Sequence, residues 1–205
     1  MKYDFDTVID RHGSYAIKWS MPDPEAIPMM VADMDLQSPE PVIAAMHRVA
    51  DHKMYGYSMH FTDPRFYSAL CGWFARRHNW QIQPEEVIPS NGTFGILTHV
   101  AHMYAKPGQG IIVMDPVYGH FSQDIEKWGN KVVRCHLINN DGYYTINYDL
   151  LEQQAADPNT TLLIFCNPHN PVGRVWTKEE MAKVAEICEK HGVFVISDEV
   201  HCDHL

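Results

Sequence analysis

The sequence predicts an α/β protein of three layers, with helices on both faces of a mostly parallel sheet. Three observations carry this expectation. Gly110 to Met114, Thr161 to Phe165 and Val193 to Ser197 are short apolar runs that read as buried strands. Stretches with apolar residues at helical spacing alternate with these runs. Residues 161–197 form a complete β-α-β unit, the connection that builds parallel sheets.

Ser38-Pro39 opens the first helix with proline at its first position, and Val42, Ile43, Met46, Val49 and Ala50 follow at helical spacing. Asp63-Pro64 opens a second, with Phe66, Leu70, Trp73 and Phe74 on one face. Val87-Ile88 reads as a short strand. Ser90-Asn91-Gly92-Thr93 follows, opening a helix that carries Ile96, Leu97, Val100, Ala101 and Tyr104. Strand 110–114 runs into "DPVYG", and a short helix is expected near Ser122 to Trp128. Lys131 to Ile138 reads as one strand, "NNDG" as a turn, and Tyr148 to Ala156 as a helix. After strand 161–165 comes the stiff loop "CNPHNPVGRVW". Thr177 and Glu180 then form a capping box. Their helix turns Met181, Val184, Ile187 and Cys188 inward and stops at Gly192. No internal repeat, low-complexity tract or linker interrupts this pattern.

A chain of 205 residues suits one large domain, or one and a fraction. Its 45% hydrophobic and 20% charged residues are those of a folded soluble protein. The net charge of −10 disfavours nucleic acid and anionic membranes as general partners, but leaves room for a small anionic ligand in a local pocket. No apolar stretch approaches a membrane span, and the start has no signal-peptide core, so a cytoplasmic location is expected. Cys71, Cys135, Cys166, Cys188 and Cys202 are scattered, odd in number and without a CxxC pair, which reads as reduced, buried thiols. "HCDH" at 201–204 matches no standard zinc spacing, and no metal is expected.

In a parallel sheet, ligands bind outside the carboxyl ends of the strands. Those ends are followed here by Ser90–Thr93, by Asp115–Tyr118, by the Asn-Pro loop, and by Asp198-Glu199 with His201. Small residues at a helix N-terminus present free N–H groups to a phosphate. Tyr118 can stack on a ring, Asn170 can donate to a phenolate oxygen, and Asp198 can hold a ring nitrogen protonated. Such a set suits a flat, phosphorylated heteroaromatic ligand such as pyridoxal 5'-phosphate. Singly, each piece has a plainer reading: "SNGT" as a cap, Tyr118 as packing, Asn-Pro as a turn. Their shared placement after strands carries the expectation. Asn167 and His169 are expected to shape the turn through local hydrogen bonds, while Asn170 faces the ligand.

"CNPHNPVGRVW" and "SDEVHCD" resemble the fold-type I pyridoxal-phosphate enzymes of the class I/II aminotransferase superfamily, in particular its cystathionine β-lyase (C–S lyase) branch. "DRHGSYAIKW" at 10–19, "MMVADMDLQSPEPV" at 29–42, "YGYS" at 55–58, "DPVYGHF" at 115–121 and "DGYYTINYDLLE" at 141–152 resemble that branch too. The resemblance implies a transferase-like fold with residues 1–45 in the small domain. Residues 46–205 would form the N-terminal part of the large cofactor-binding domain, the fold being incomplete at its C-terminus. It implies that Gly92, Thr93 and Phe94 hold the phosphate, although "SNGT" departs from the branch's usual apolar pair after the glycine. Tyr118, Asn170 and Asp198 become the catalytic set, stacking on the pyridine ring, bonding its 3' oxygen and pairing with its nitrogen. His201 lies near that oxygen, and Ala32 near the substrate. Tyr57 reaches the phosphate of the neighbouring subunit in a homodimer. The implied activity is β-elimination from L-cystathionine or related S-substituted cysteines, releasing a thiol, pyruvate and ammonia. An aminotransferase and a non-catalytic cofactor-binding or interaction protein remain alternatives on the same motifs. The resemblance also places the Schiff-base lysine, and later the arginine that grips the substrate carboxylate, beyond Leu205. The chain is therefore expected to be incomplete and inactive alone.

Overall fold

Four parallel strands form the main sheet of the computed structural model, which describes residues 3–20, 23, 25–57, 59 and 62–205. The helices and strands are α1 (Glu40–Asp51), α2 (Pro64–His78), α3 (Thr93–Tyr104), β1 (Gly110–Val113), α4 (Gly119–Lys127), β2 (Lys131–Arg134), β3 (Ile138–Asn140), β4 (Tyr143–Thr145), α5 (Tyr148–Ala155), β5 (Thr160–Cys166), α6 (Lys178–His191) and β6 (Phe194–Asp198). The chain divides into two compact units, Met1–Phe66 and Tyr67–Leu205.

The sheet order is β2-β1-β5-β6, with every pairing parallel. β1 and β5 are buried because their side chains are apolar on both faces. Ile112, Met114, Leu163 and Phe165 pack with Leu151 and Ala155 of α5 and with Val184, Ile187 and Cys188 of α6. The alternate residues Ile111, Val113, Leu162 and Ile164 pack with Leu97 and Ala101 of α3 and with Phe121 and Ile125 of α4. The three-layer α/β/α expectation is met. Burying each such leucine or isoleucine contributes roughly 1.5–3 kcal/mol. β1 starts at a glycine because the neighbouring strands close in there: a Cβ on Gly110 would stand 2.8 Å from Val133 Cγ2 and 3.0 Å from Thr160 Oγ1.

From β1 the chain passes through α4 to β2 on one side, then returns through α5 to β5 on the other. The order of strands therefore reverses between β1 and β5, and a crevice opens at their carboxyl ends at such a switch point.

α6 forms as its sequence dictates. Thr177 Oγ1 accepts the Glu180 N–H at 3.2 Å, and Glu180 Oε2 accepts the Thr177 N–H at 2.8 Å. Gly192 ends the helix in the left-handed conformation, φ 69°. Arg174, just before α6, grips the same glutamate with Nη2 at 2.9 Å from Oε1 and 2.8 Å from Oε2. Its guanidinium lies 4.4 Å from the Tyr143 ring centre and 4.6 Å from that of Trp176, and donates to the Tyr144 carbonyl.

Several elements differ from expectation. Val87-Ile88 joins no strand among the described residues; a 3-10 turn at Pro84–Glu86 precedes it, and Ile88 is exposed. Two residues close too few ladder bonds to hold a pairing, so three of the four anticipated strand ends lie in the sheet. Residues 131–138 are not one strand. Cys135 and Leu137 stay hydrogen-bonded beside β1, through Val113 O and Asp115 O, and turn into the core. Ile138–Asn140 then peels away to pair with Tyr143–Thr145, across Asp141 (φ 50°) and Gly142 (φ 93°). α4 begins at Gly119, earlier than expected, and Pro39 caps α1 rather than entering it.

The Met1–Phe66 unit is organised by charge. Arg11 reaches Asp33 Oδ2 at 2.7 Å and Asp35 Oδ1 at 2.9 Å. The buried Lys18 ammonium donates to Asp35 Oδ2 at 2.5 Å and to the Asp33 carbonyl at 3.0 Å, and Trp19 Nε1–H donates to Asp35 Oδ1 at 2.7 Å. These donors, Lys18 first, hold the Asp35 carboxyl down to about 2. Among the described residues, no helix is long and apolar enough to cross a membrane.

Candidate functional site

The segment after β1 delivers Tyr118 as the cap of α4, with its ring partly exposed. That ring lies 5.7 Å from Phe94 at a 33° tilt and 5.7 Å from Phe121 edge-on. Phe94 is the second residue of α3, so the contact joins the N-terminus of α3 to the end of β1. Gly92 caps α3 with φ 91° and ψ 159°, and no side chain fills the cap. The first N–H groups of α3 are thus left to whatever ligand lies before them. A Cβ on Gly92 would meet nothing within 4 Å, so the glycine serves its backbone conformation rather than a lack of space.

The last rung between β5 and β6 pairs Cys166 with Asp198, and the Asn167 N–H donates to the Asp198 carbonyl at 2.9 Å. Asp198 is 7% exposed. Among the described residues its carboxylate accepts one hydrogen bond, from the Val200 N–H at 3.1 Å, which leaves an oxygen for a ligand donor. The Cys166 thiol beside it donates to Pro168 O at 3.3 Å, and burial pushes its pKa up to about 11. Asn170 is partly buried, and its side-chain amide has no partner among the described residues. Asn167 shapes the turn as expected: its Oδ1 accepts the Trp176 N–H at 3.1 Å, and its Nδ2 lies 3.3 Å from Met181 Sδ. His169 does not act locally alone. Its ring leaves the loop and reaches the carbonyls of Met114 and Pro116. No spacing in the sequence announces partners so far away.

His201 opens a 3-10 turn at Cys202–His204 and faces the His204 ring at 6.3 Å. Of "HCDH", Cys202 and Asp203 gather with His78 of α2, their ligand atoms within 4.8 Å of one another. Asp203 is already engaged: it accepts the Trp73 Nε1–H at 3.0 and 3.1 Å and lies 2.9 Å from His78 Nε2. Ala32 and Tyr57 belong to the Met1–Phe66 unit, where both side chains are exposed. Ser58 of "YGYS" lies outside the described residues. An open depression of about 500 Å³ lies on the β2 flank, lined by Asp115, Ser122, Glu126, Arg134 and His136. It shares Asp115 with the segment after β1 but is not lined by Gly92, Phe94, Tyr118, Asn170, Asp198 or His201.

The donor set fits a flat phosphorylated pyridine. An uncapped helix start supplies N–H groups, Tyr118 supplies a ring face, Asn170 a free amide and Asp198 a buried carboxylate with an open oxygen. The neutral residues suit the ligand's phosphate and phenolate; the acid suits a protonated ring nitrogen.

The family model for aminotransferase class I and II matches residues 25–204. Among curated proteins, cystathionine beta-lyase PatB of Bacillus subtilis is 38% identical, covering 98% of this chain and 52% of the relative. Protein MalY of Escherichia coli is 30% identical, covering 98% of this chain and 53% of the relative. Among solved structures, cystalysin from Treponema denticola, which contains a pyridoxal 5'-phosphate cofactor, superposes with a TM-score of 0.92 at 35% identity. That match covers 99% of this chain and 53% of that one. The chain thus spans about half the length of the curated relatives it matches.

Proposed function

The chain belongs to the class I and II aminotransferase family, and on that premise we propose that its gene product is a pyridoxal 5'-phosphate-dependent carbon–sulfur β-lyase. Its substrates are L-cystathionine or related S-substituted cysteines, and it releases a thiol, pyruvate and ammonia. One observation carries the proposal. Tyr118, Asn170 and the buried Asp198 follow or close the carboxyl ends of β1, β5 and β6, three neighbouring parallel strands, which supports a shared site there. The 38% identity to a cystathionine beta-lyase supports elimination over amino transfer.

When bound, the cofactor supplies an electron sink for the substrate's Cα carbanion. Asp198 keeps the proton on the pyridine nitrogen, which makes the sink effective. N–H groups at Gly92, Thr93 and Phe94 bind the phosphate at the start of α3. Tyr118 covers one face of the ring and excludes water from it. Asn170 donates to the 3' oxygen, with His201 nearby. Ala32 lines the substrate's approach, and Tyr57 serves the phosphate of the neighbouring subunit in a homodimer. Residues 1–45 belong to the small domain and 46–205 to the large one.

The test supplies the complete gene product with pyridoxal 5'-phosphate and L-cystathionine. Pyruvate release without any keto-acid acceptor is expected. Turnover that appears only when a keto acid is added would make the protein an aminotransferase. Cofactor binding without turnover on either assay would make it a binding protein.

A further inference from the structure

His169 is 1% exposed, and the polar neighbours of its ring are main-chain carbonyl oxygens. Nδ1 lies 3.2 Å from Cys166 O, in its own loop. Nε2 lies 3.0 Å from Met114 O and 3.0 Å from Pro116 O, in the segment that runs from β1 to Tyr118. The residue's backbone is fixed separately: its N–H donates to Arg174 O at 2.7 Å, and its carbonyl accepts the Gly173 N–H at 2.8 Å. The Trp176 ring meets the imidazole edge-on at 5.3 Å.

A ring with carbonyls on both nitrogens has three protonation choices. The imidazolium would donate on both sides, but it would bury a charge. Burial is the larger influence and holds the imidazole pKa below its ordinary value, against the upward pull of the Pro116, Cys166 and Met114 carbonyls and of Asp115. Two neutral tautomers remain. With the proton on Nε2, one N–H is shared by two carbonyls, and a lone pair faces only Cys166 O. That oxygen already accepts the Trp176 Nε1–H at 3.0 Å. With the proton on Nδ1, a lone pair would face two carbonyls at 3.0 Å, and neither would gain a donor from the ring.

We propose that His169, as its Nε2–H tautomer, is a positioning residue that staples the segment carrying Tyr118 to the loop carrying Asn170. The staple spans the switch point between β1 and β5 and sets the gap in which the cofactor's ring is held. The use of that gap rests on the function proposed above; the staple itself does not.

Two neutral, smaller side chains separate the halves of the imidazole. A glutamine amide nitrogen reaches near the place of Nε2, and an asparagine amide nitrogen near that of Nδ1. Hydrogen exchange on the cofactor-free protein should therefore accelerate about tenfold in residues 117–121 for His169→Asn and stay near wild type for His169→Gln. Equal exchange in the two variants would overturn the staple. In wild type, long-range proton–nitrogen spectra should show a protonated Nε2 and an unprotonated Nδ1. The reverse pattern, or two protonated nitrogens at neutral pH, would overturn it without any variant. Pyridoxal 5'-phosphate binding to the complete gene product then reads the positioning: His169→Asn should bind about tenfold more weakly, with His169→Gln close to wild type. If both variants bind alike while their exchange differs, the staple stands and the positioning role falls. If wild type binds no cofactor, the proposed function fails, and exchange and spectra still decide the staple.

Discussion

Asn167 and Asp198 share one main-chain hydrogen bond, 2.9 Å from the Asn167 N–H to the Asp198 carbonyl. It lies one residue beyond the last paired rung of β5 and β6, Cys166 with Asp198. The loop that carries Asn170 and the strand end that carries the carboxylate are therefore held in one register. A ligand bonded to both would meet a frame set by the sheet rather than by a free loop.

Asp198→Asn preserves shape and can still accept the Val200 N–H, but it removes the charge proposed to pair with the ring nitrogen. Circular dichroism should be unchanged, while pyruvate release by the complete gene product falls about a hundredfold or more. Near-normal turnover would refute the assignment.

Gly92→Ala meets no neighbouring atom, but it forces a side chain onto a backbone with φ 91° and ψ 159°. A stability loss of about 1–3 kcal/mol in urea unfolding is expected. Affinity for pyridoxal 5'-phosphate should drop, and affinity for pyridoxal, which lacks the phosphate, should not. Equal losses for both ligands would remove the phosphate from this helix start.

Tyr57 is exposed within its own chain, as a residue serving a second subunit would be. Inactive Tyr57→Phe and inactive Asp198→Asn subunits, mixed under exchange, should regain some activity in hybrid dimers. Demonstrated hybrids that remain inactive would sink the cross-subunit role.

Arg174→Lys keeps the charge but loses the two-pronged contact with Glu180 and the stacking on Tyr143 and Trp176. Arg174→Met should cost about 3 kcal/mol, because Glu180 loses its charged partner in a mostly buried pair and keeps only the Thr177 N–H. The lysine variant should recover less than half of that loss in denaturant titrations. Full recovery would mean that charge alone holds the site.

The Asp35 cluster sets an acid limit on the N-terminal unit. The folded carboxyl titrates at about 2, below its ordinary value of 3.8. Its stabilising contribution is therefore complete above 3.8 and is lost as pH falls through about 2. Trp19, which donates to Asp35, should report this by a fluorescence transition near the lower value. Asp35→Asn should abolish the transition; a midpoint near 4 in wild type would contradict the cluster.

What was legible in the sequence was what local pattern controls. The runs at 110–114 and 161–165 declared themselves because strands buried on both faces need apolar residues throughout, and 193–197 carries the same apolar run although its strand is only partly covered. Thr177, Glu180 and Gly192 marked the bounds of α6 because caps are short-range chemistry. Residues 131–138 misled, since their apolar pattern continues smoothly while the pairing partner changes from β1 to β4. Asn170 and Asp198 were readable as site candidates from their place after strands. The reach of His169 to Met114 and Pro116 was not, because it depends on which strands become neighbours.

The strand order has a consequence during synthesis. β1 and β2 leave the ribosome together with α4 between them, whereas the other neighbour of β1, Thr160–Cys166, follows only after the β3–β4 hairpin and α5. At ordinary elongation rates that interval is on the order of several seconds. Throughout it, the nascent chain carries Gly110–Val113 with one edge unpaired, and Ile112 lacks the α5 and α6 covering it has in the finished fold, although α3 and α4 are already made for Ile111 and Val113. The interval before β5 emerges is thus when a chaperone would matter most to this chain.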